Sequence, residues 1–228
     1  MAAIIFGAVP LVLTLALVAI NIAQNGRHLG DGLPPGCVCV EDVKLIRSKA
    51  DFCLIWHLAN APSPEVLENG GVYEGHLINL GILARVSAFI TNRLFAPPGH
   101  RWAGKLLGGP RPAGANIFAP RREGDTNARG GLSSTWCKRR GFGATIGPSR
   151  LDGRPCLVLD YSHKEHGDSL VWGGVMRMRD ELREVAPGML LGLGSMKATG
   201  GARNCAPFVL VRVADAPAVE PIVEPASD

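Results

Sequence analysis

With 228 residues, 46% of them hydrophobic, the chain can bury one domain core and still leave segments outside it. Its 29 glycines and 17 prolines interrupt it too often for a bundle of long helices and favour short strands joined by turns. The net charge of +4 is unevenly spread: residues 93–154 carry twelve Lys/Arg against three Asp/Glu, whereas everything from Ala214 onward has four acids and no base. The arginines of the basic stretch are scattered among Gly and Pro, with neither a recognition-helix pattern nor an RNA-stacking motif, so nucleic acid is not an expected partner.

In chain order, residues 1–23, "MAAIIFGAVPLVLTLALVAINIA", hold no charge. About 20 apolar residues suffice to cross a bilayer. The stretch lacks the basic n-region and clear cleavage site of a signal peptide, so it is expected to stay on as a single-pass transmembrane anchor, with residues 2–23 in the bilayer. Arg27, Lys44, Arg47 and Lys49 follow it and favour a body on the cytoplasmic side. Residues 24–40 read as a linker. In residues 41–62, Val43, Ile46, Ala50, Cys53, Leu54 and His57 recur at spacings of three and four, the pattern of an amphipathic helix ended by "APSP". His57 is expected to be a partly buried, hydrogen-bonded residue on its apolar stripe.

Residues 63–213 change texture. Short runs rich in Val, Ile, Leu and aromatics, such as "GGVYEGHLINL", "RPCLVLDYS", "GMLLGLGSM" and "CAPFVLVRV", alternate with turn residues. Eight or nine such runs describe an antiparallel sheet, closed as a barrel or folded as a sandwich. Residues 121–140 are expected to form a long loop. Residues 214–228, acidic and Pro-rich, are expected to be disordered.

The six cysteines stand at 37, 39, 53, 137, 156 and 205, with Cys156 inside an apolar run as a free core thiol would be. Cys-x-Cys at 37–39 is a poor start for zinc chelation, and no metal or cofactor is expected. There is no phosphate-binding Gly-rich loop, zinc-protease motif or haem attachment motif.

"GGVYEG" followed by "HRWAGK" resembles the uncharacterised family of small β-proteins named for a Gly-x-Trp-x-Gly motif. Gly71-Val72-Tyr73-Glu74-Gly75 has Tyr in place of Trp. Trp102-Ala103-Gly104-Lys105 fits the family's W-x-G-K segment, and "LVLDYS", "RMRDELREV" and "MLLGLG" follow in the family's order. The resemblance spans residues 70–195 and implies a lipocalin-like barrel with Tyr73 packed inward. It implies no chemistry.

Strand alternation places the candidate site residues. If Tyr73 is inward, Glu74 and His76 face outward. Read as a strand, 176–184 puts Met176, Met178, Asp180, Leu182 and Glu184 on one face and Arg177, Arg179, Glu181 and Arg183 on the other, which is expected to meet water. Asp180 then faces the interior, unless "MRDELREV" is a helical turn. Likewise Cys156, Val158 and Asp160 share one face and Leu157, Leu159 and Tyr161 the other, with "SHKEHGDS" as a rim loop. Ser162 and His163 lack a nucleophile elbow.

The expected function is a membrane-anchored barrel that binds a small hydrophobic or amphipathic molecule, with Tyr73, Asn92, Trp102, Lys105, Tyr161 and Glu184 as ligand-binding candidates. The alternatives are a cofactor-independent isomerase or cyclase using Asp180 or Asp160 as acid or base, and a non-catalytic interaction module.

Overall fold

The computed structural model describes residues 46, 49–78, 80, 84–108, 113–121, 136–162, 170–201, 205–213 and 220–221. The expected anchor (1–23), the linker (24–40) and the start of the 41–62 helix lie outside the described residues, as do Cys37, Cys39, His163 and His166. Among the described residues no helix is long and apolar enough to cross a membrane.

Eight strands close into one antiparallel barrel: β1 (Gly71–Leu77), β2 (His100–Leu107), β3 (Ala113–Pro120), β4 (Cys137–Pro148), β5 (Pro155–Asp160), β6 (Met178–Ala186), β7 (Met189–Met196) and β8 (Ala206–Arg212). The hydrogen-bonded order is β3-β2-β1-β8-β7-β6-β5-β4, and pairing of β3 with β4 completes the ring. "MRDELREV" is thus a strand, in register with β5 and β7. Glu220–Pro221, within the acidic tail, forms a two-residue strand β9 parallel to Cys137–Lys138. Of the expected 121–140 loop, Cys137 onward belongs to β4, and 122–135 lie outside the described residues.

Side-chain alternation divides the barrel into an inner and an outer core. Inside are Tyr73, Phe142, Leu157, Leu159, Tyr161, Leu182, Leu190 and Leu210. A short helix α2 (Pro64–Glu68) adds Val66 and Leu67 to this core, beside the β2 turn at Gly108. Outside, helix α1 (Lys49–Leu58) covers Cys156, Val158, Leu191, Leu193 and Val209. Phe52, Ile55 and Trp56 carry most of this contact, Ile46 and Cys53 of the stripe expected from spacing join it, and His57 is exposed. The two stacked rings of Phe52 and Trp56, with centroids 6.0 Å apart, offer more apolar area than Cys53 and Leu54, and burial follows area. Cys156 is a buried thiol, as expected; burial, followed by the charge of Glu181, pushes it up to about 12.

The outer face of β6 departs furthest from expectation. Glu181 and Arg183 are completely buried, not solvated. The 149–154 turn folds over Glu181, whose carboxylate accepts hydrogen bonds from Ser149 Oγ (2.6 Å), Arg150 N (3.0 Å) and Arg179 Nε (2.9 Å). Arg183 lies under α1. It donates to the Trp56 carbonyl (2.7 Å), makes a two-pronged contact with Asp152 (2.7 Å each) and sits 4.7 Å from the Trp56 ring centroid. Both buried charges on this face are matched, which is the condition for burying them.

Two glycines set how closely β1 and β2 approach. A Cβ added to Gly75 would lie 2.4 Å from the Trp102 ring, which crosses the barrel interior above it. Gly104 has φ +150°, and a Cβ there would lie 2.0 Å from the Tyr73 carbonyl oxygen. Gly75→Ala should therefore destabilise the barrel by about 1–3 kcal/mol through overpacking. Urea denaturation measures this; an unchanged midpoint and slope would contradict the close packing of Trp102 on β1.

Candidate functional site

The inner core contains a polar cluster near one end of the barrel. Lys105 on β2, Asn116 on β3, Tyr161 just after β5 and Asp180 on β6 are all at most 2% exposed. Lys105 Nζ contacts Asp180 Oδ2 at 2.6 Å, Asn116 Oδ1 at 2.7 Å and the Tyr161 hydroxyl at 2.8 Å. The Tyr161 hydroxyl donates to Asp180 Oδ2 at 2.7 Å and accepts from Asn116 Nδ2 at 3.0 Å. Trp102 Nε1 donates to Asn116 Oδ1 at 3.0 Å. The Nζ also lies 5.2–5.8 Å from the ring centroids of Trp102, Phe142, Tyr161 and Phe208, so the charge is caged by aromatic faces.

Two β-bulges assemble this cluster. In β2 the pairing with β3 skips Ala103, which puts Trp102 and Lys105 on the same inner face although they are three residues apart. In β4 the pairing skips Arg140, whose φ of +56° is left-handed. That turn lets the Arg140 carbonyl accept from Asn116 Nδ2 at 3.0 Å. Its side chain reaches Phe95 and Trp172: Nε donates to the Phe95 carbonyl (3.2 Å), and the guanidinium lies 5.9 and 5.4 Å from the Phe95 and Trp172 rings.

Donors and acceptors in the cluster balance for an ammonium at Lys105 and a carboxylate at Asp180. An ammonium at Lys105 spends its three N–H groups on three acceptors. Tyr161 accepts twice and donates once, and Asn116 uses both amide hydrogens and accepts twice. The remaining acceptor is Asp180 Oδ1, buried and without a hydrogen-bond partner. Burial pulls the Lys105 amine below its ordinary value, while Asp180 opposes this by charge and by hydrogen bond. Burial, and next the charge of Asp180, hold the Tyr161 phenol well above its ordinary range, so it stays a neutral donor.

Beside this cluster lies a cavity of about 330 Å³. Trp102, Lys105, Asn116 and Asp180 form its polar wall. The rest is chiefly apolar, including Leu77, Ile90, Phe95, Trp172, Met178 and Phe208. Two connections cap it. One is helix α3 (Ala84–Phe89), running into a π-helical turn (Ile90–Phe95); the other is a second π-helical turn (Leu170–Val175). The Phe95 and Trp172 rings meet edge to face at 4.9 Å and join the two caps.

Of the residues singled out from sequence, Trp102, Lys105, Tyr161 and Asp180 come together here. Asn92 sits on the first cap, where its Oδ1 accepts from the Trp102 backbone N–H at 3.2 Å; it positions the wall without lining the cavity. Tyr73 is buried in the inner core outside the cavity lining, and Glu184 is a partly buried residue whose charge acts on Tyr73. Asp160 belongs to the outer face, beside Arg179, and its Oδ1 accepts from the Ser162 N–H at 2.9 Å, so it closes its own turn rather than facing the cavity. Sequence reasoning missed Asn116 and Arg140. Alternation in "GANIFAP" carries the signal for the first, because it sets Asn116 on the same face as Phe118. The second depends on a bulge with no sequence signature.

Lys105→Met would leave the Asp180 carboxylate buried without its counter-charge, and should cost about 3–5 kcal/mol. Adding Asp180→Leu removes that charge, so the double variant should be more stable than Lys105→Met alone. Chemical denaturation of the two variants checks this, and a double variant no more stable than Lys105→Met alone would contradict the pairing.

No family model and no curated protein matches the chain. Among solved structures, the crystal structure of a protein from Thermomonospora curvata is similar over 70% of this chain and 83% of that one, at 16% identity and a TM-score of 0.36.

Proposed function

We propose that this protein is a membrane-anchored barrel, similar in construction to the Gly-x-Trp-x-Gly proteins, that binds one small, largely apolar or amphipathic molecule. The observation that carries this reading is the 330 Å³ cavity with one polar wall and otherwise mainly apolar sides. Sites for small molecules have this composition and volumes of roughly 300–1,000 Å³. A barrel evolved only as an interaction module would have no reason to keep such a space, since interiors otherwise pack to high density.

The caps support a membrane setting. Val86, Phe89, Leu94, Val171 and Val175 are 50–77% exposed, and all five lie on the two segments that cover the cavity. Arg85, Arg93 and Arg177 are exposed beside them. Apolar side chains flanked by cations suit contact with an anionic lipid surface, where apolar ligands concentrate. The uncharged residues 2–23 would hold the barrel there.

Binding rather than catalysis is favoured by the state of the amine. As an ammonium, Lys105 has all three hydrogens engaged and no free lone pair, so it is not a poised nucleophile. The test is mass spectrometry of small molecules retained by the full chain after exposure to an apolar lipid extract, for wild type and Ala206→Phe. Ala206 lines the cavity and is partly exposed, so the larger ring should fill the space. Retention should fall while the melting temperature holds. Equal retention by the variant, or no retained molecule in either protein, would contradict the proposal.

A further inference from the structure

The binding reading leaves the chemical class of the ligand open, and the hydrogen-bond inventory of the polar wall narrows it. Lys105, Asn116, Tyr161 and Trp102 have no donor left over among the contacts described above. Asp180 lines the cavity, and its buried Oδ1 has no donor. That oxygen lies over Gly194, another cavity residue, where an added Cβ would come within 3.1 Å of it.

The wall is also balanced in charge. Lys105 and Asp180 form a 2.6 Å pair with both side chains 2% exposed. An ionised acid entering the cavity would bring a second carboxylate against Asp180, with the Lys105 charge already spent. An amine cation would leave one uncompensated positive charge in a buried site. A neutral hydroxyl does neither: it gives Asp180 Oδ1 the hydrogen bond it lacks, and a hydrogen bond to a charged acceptor is stronger than a neutral one. We infer, on the strength of the binding function proposed above, that the ligand is a neutral alcohol or phenol whose hydroxyl seats on Asp180 Oδ1, and that free carboxylic acids of the same size are rejected.

The experiment titrates the full chain, purified in mild detergent, with three probes near neutral pH: decanol, its isomer methyl nonyl ether, and decanoate. Fluorescence of Trp102 and Trp172, both on the cavity, reports binding. Decanol should bind about tenfold or more tightly than the ether, which has no donor, and decanoate should be weakest. Lys105→Met/Asp180→Leu, checked for its β signal by circular dichroism, should bind decanol and the ether alike. Binding of all three probes without preference, or a preference for decanoate, would overturn the hydroxyl assignment and leave the binding function standing. Failure of every probe to bind would instead count against the binding function itself. Should the double variant not fold, the three wild-type titrations still decide the matter.

Discussion

A lysine inside a β-barrel must be neutralised where it sits, because desolvating an ammonium without a partner costs more than the domain can spare. Here the neutralising contact is Lys105 Nζ to Asp180 Oδ2, at 2.6 Å, across the interior from β2 to β6. Much of the surrounding construction follows from it. Tyr161 and Asn116 take the ammonium's other two hydrogens, Trp102 takes the second lone pair of the Asn116 carbonyl, and the Arg140 carbonyl takes the remaining amide hydrogen. Each partner removes one unsatisfied group, and together they tie β2, β3, β4, β6 and the end of β5 into one network.

The network also shapes the cavity. Its members cannot move inward to fill space without breaking bonds that are costly to lose, so the volume between them and the caps is retained. Arg140 links the two parts: its carbonyl belongs to the network, and its guanidinium packs on Phe95 and Trp172 of the caps. Arg140 thus stands between the caps and Asn116, which itself bonds to Lys105 of the charge pair. The outer face repeats the principle with different residues, since Arg183, Asp152 and the Trp56 carbonyl pair charge with charge and dipole beneath α1.

Alternation along strands was the most informative feature of the sequence. It placed Asp180 inward and Leu157, Leu159 and Tyr161 on the opposite face from Asp160, as the barrel has them. Strict alternation fails at Trp102 and Lys105, which share a face only because Ala103 bulges out of register. It also assigns sides without saying what covers them. Glu181 and Arg183 looked solvated because nothing in β6 reveals that α1 and the 149–154 turn lie over it. The helix itself was legible, and Ile46 and Cys53 of its expected stripe do pack on the barrel, but the bulk of Phe52, Ile55 and Trp56 carries most of the contact. The partner of Asp180 was legible as a residue and not as a contact, because 75 positions of sequence separate it from Lys105.

The protonation state of Lys105 decides between this account and any other reading of the interior. Nitrogen-15 NMR of the side-chain Nζ, with Lys105→Arg to assign the resonance, measures it directly. The account predicts an ammonium at neutral pH, with hydrogens exchanging far more slowly than those of surface lysines, because all three are bonded inside the barrel. A neutral amine, or an ammonium whose hydrogens exchange as fast as in water, would contradict it.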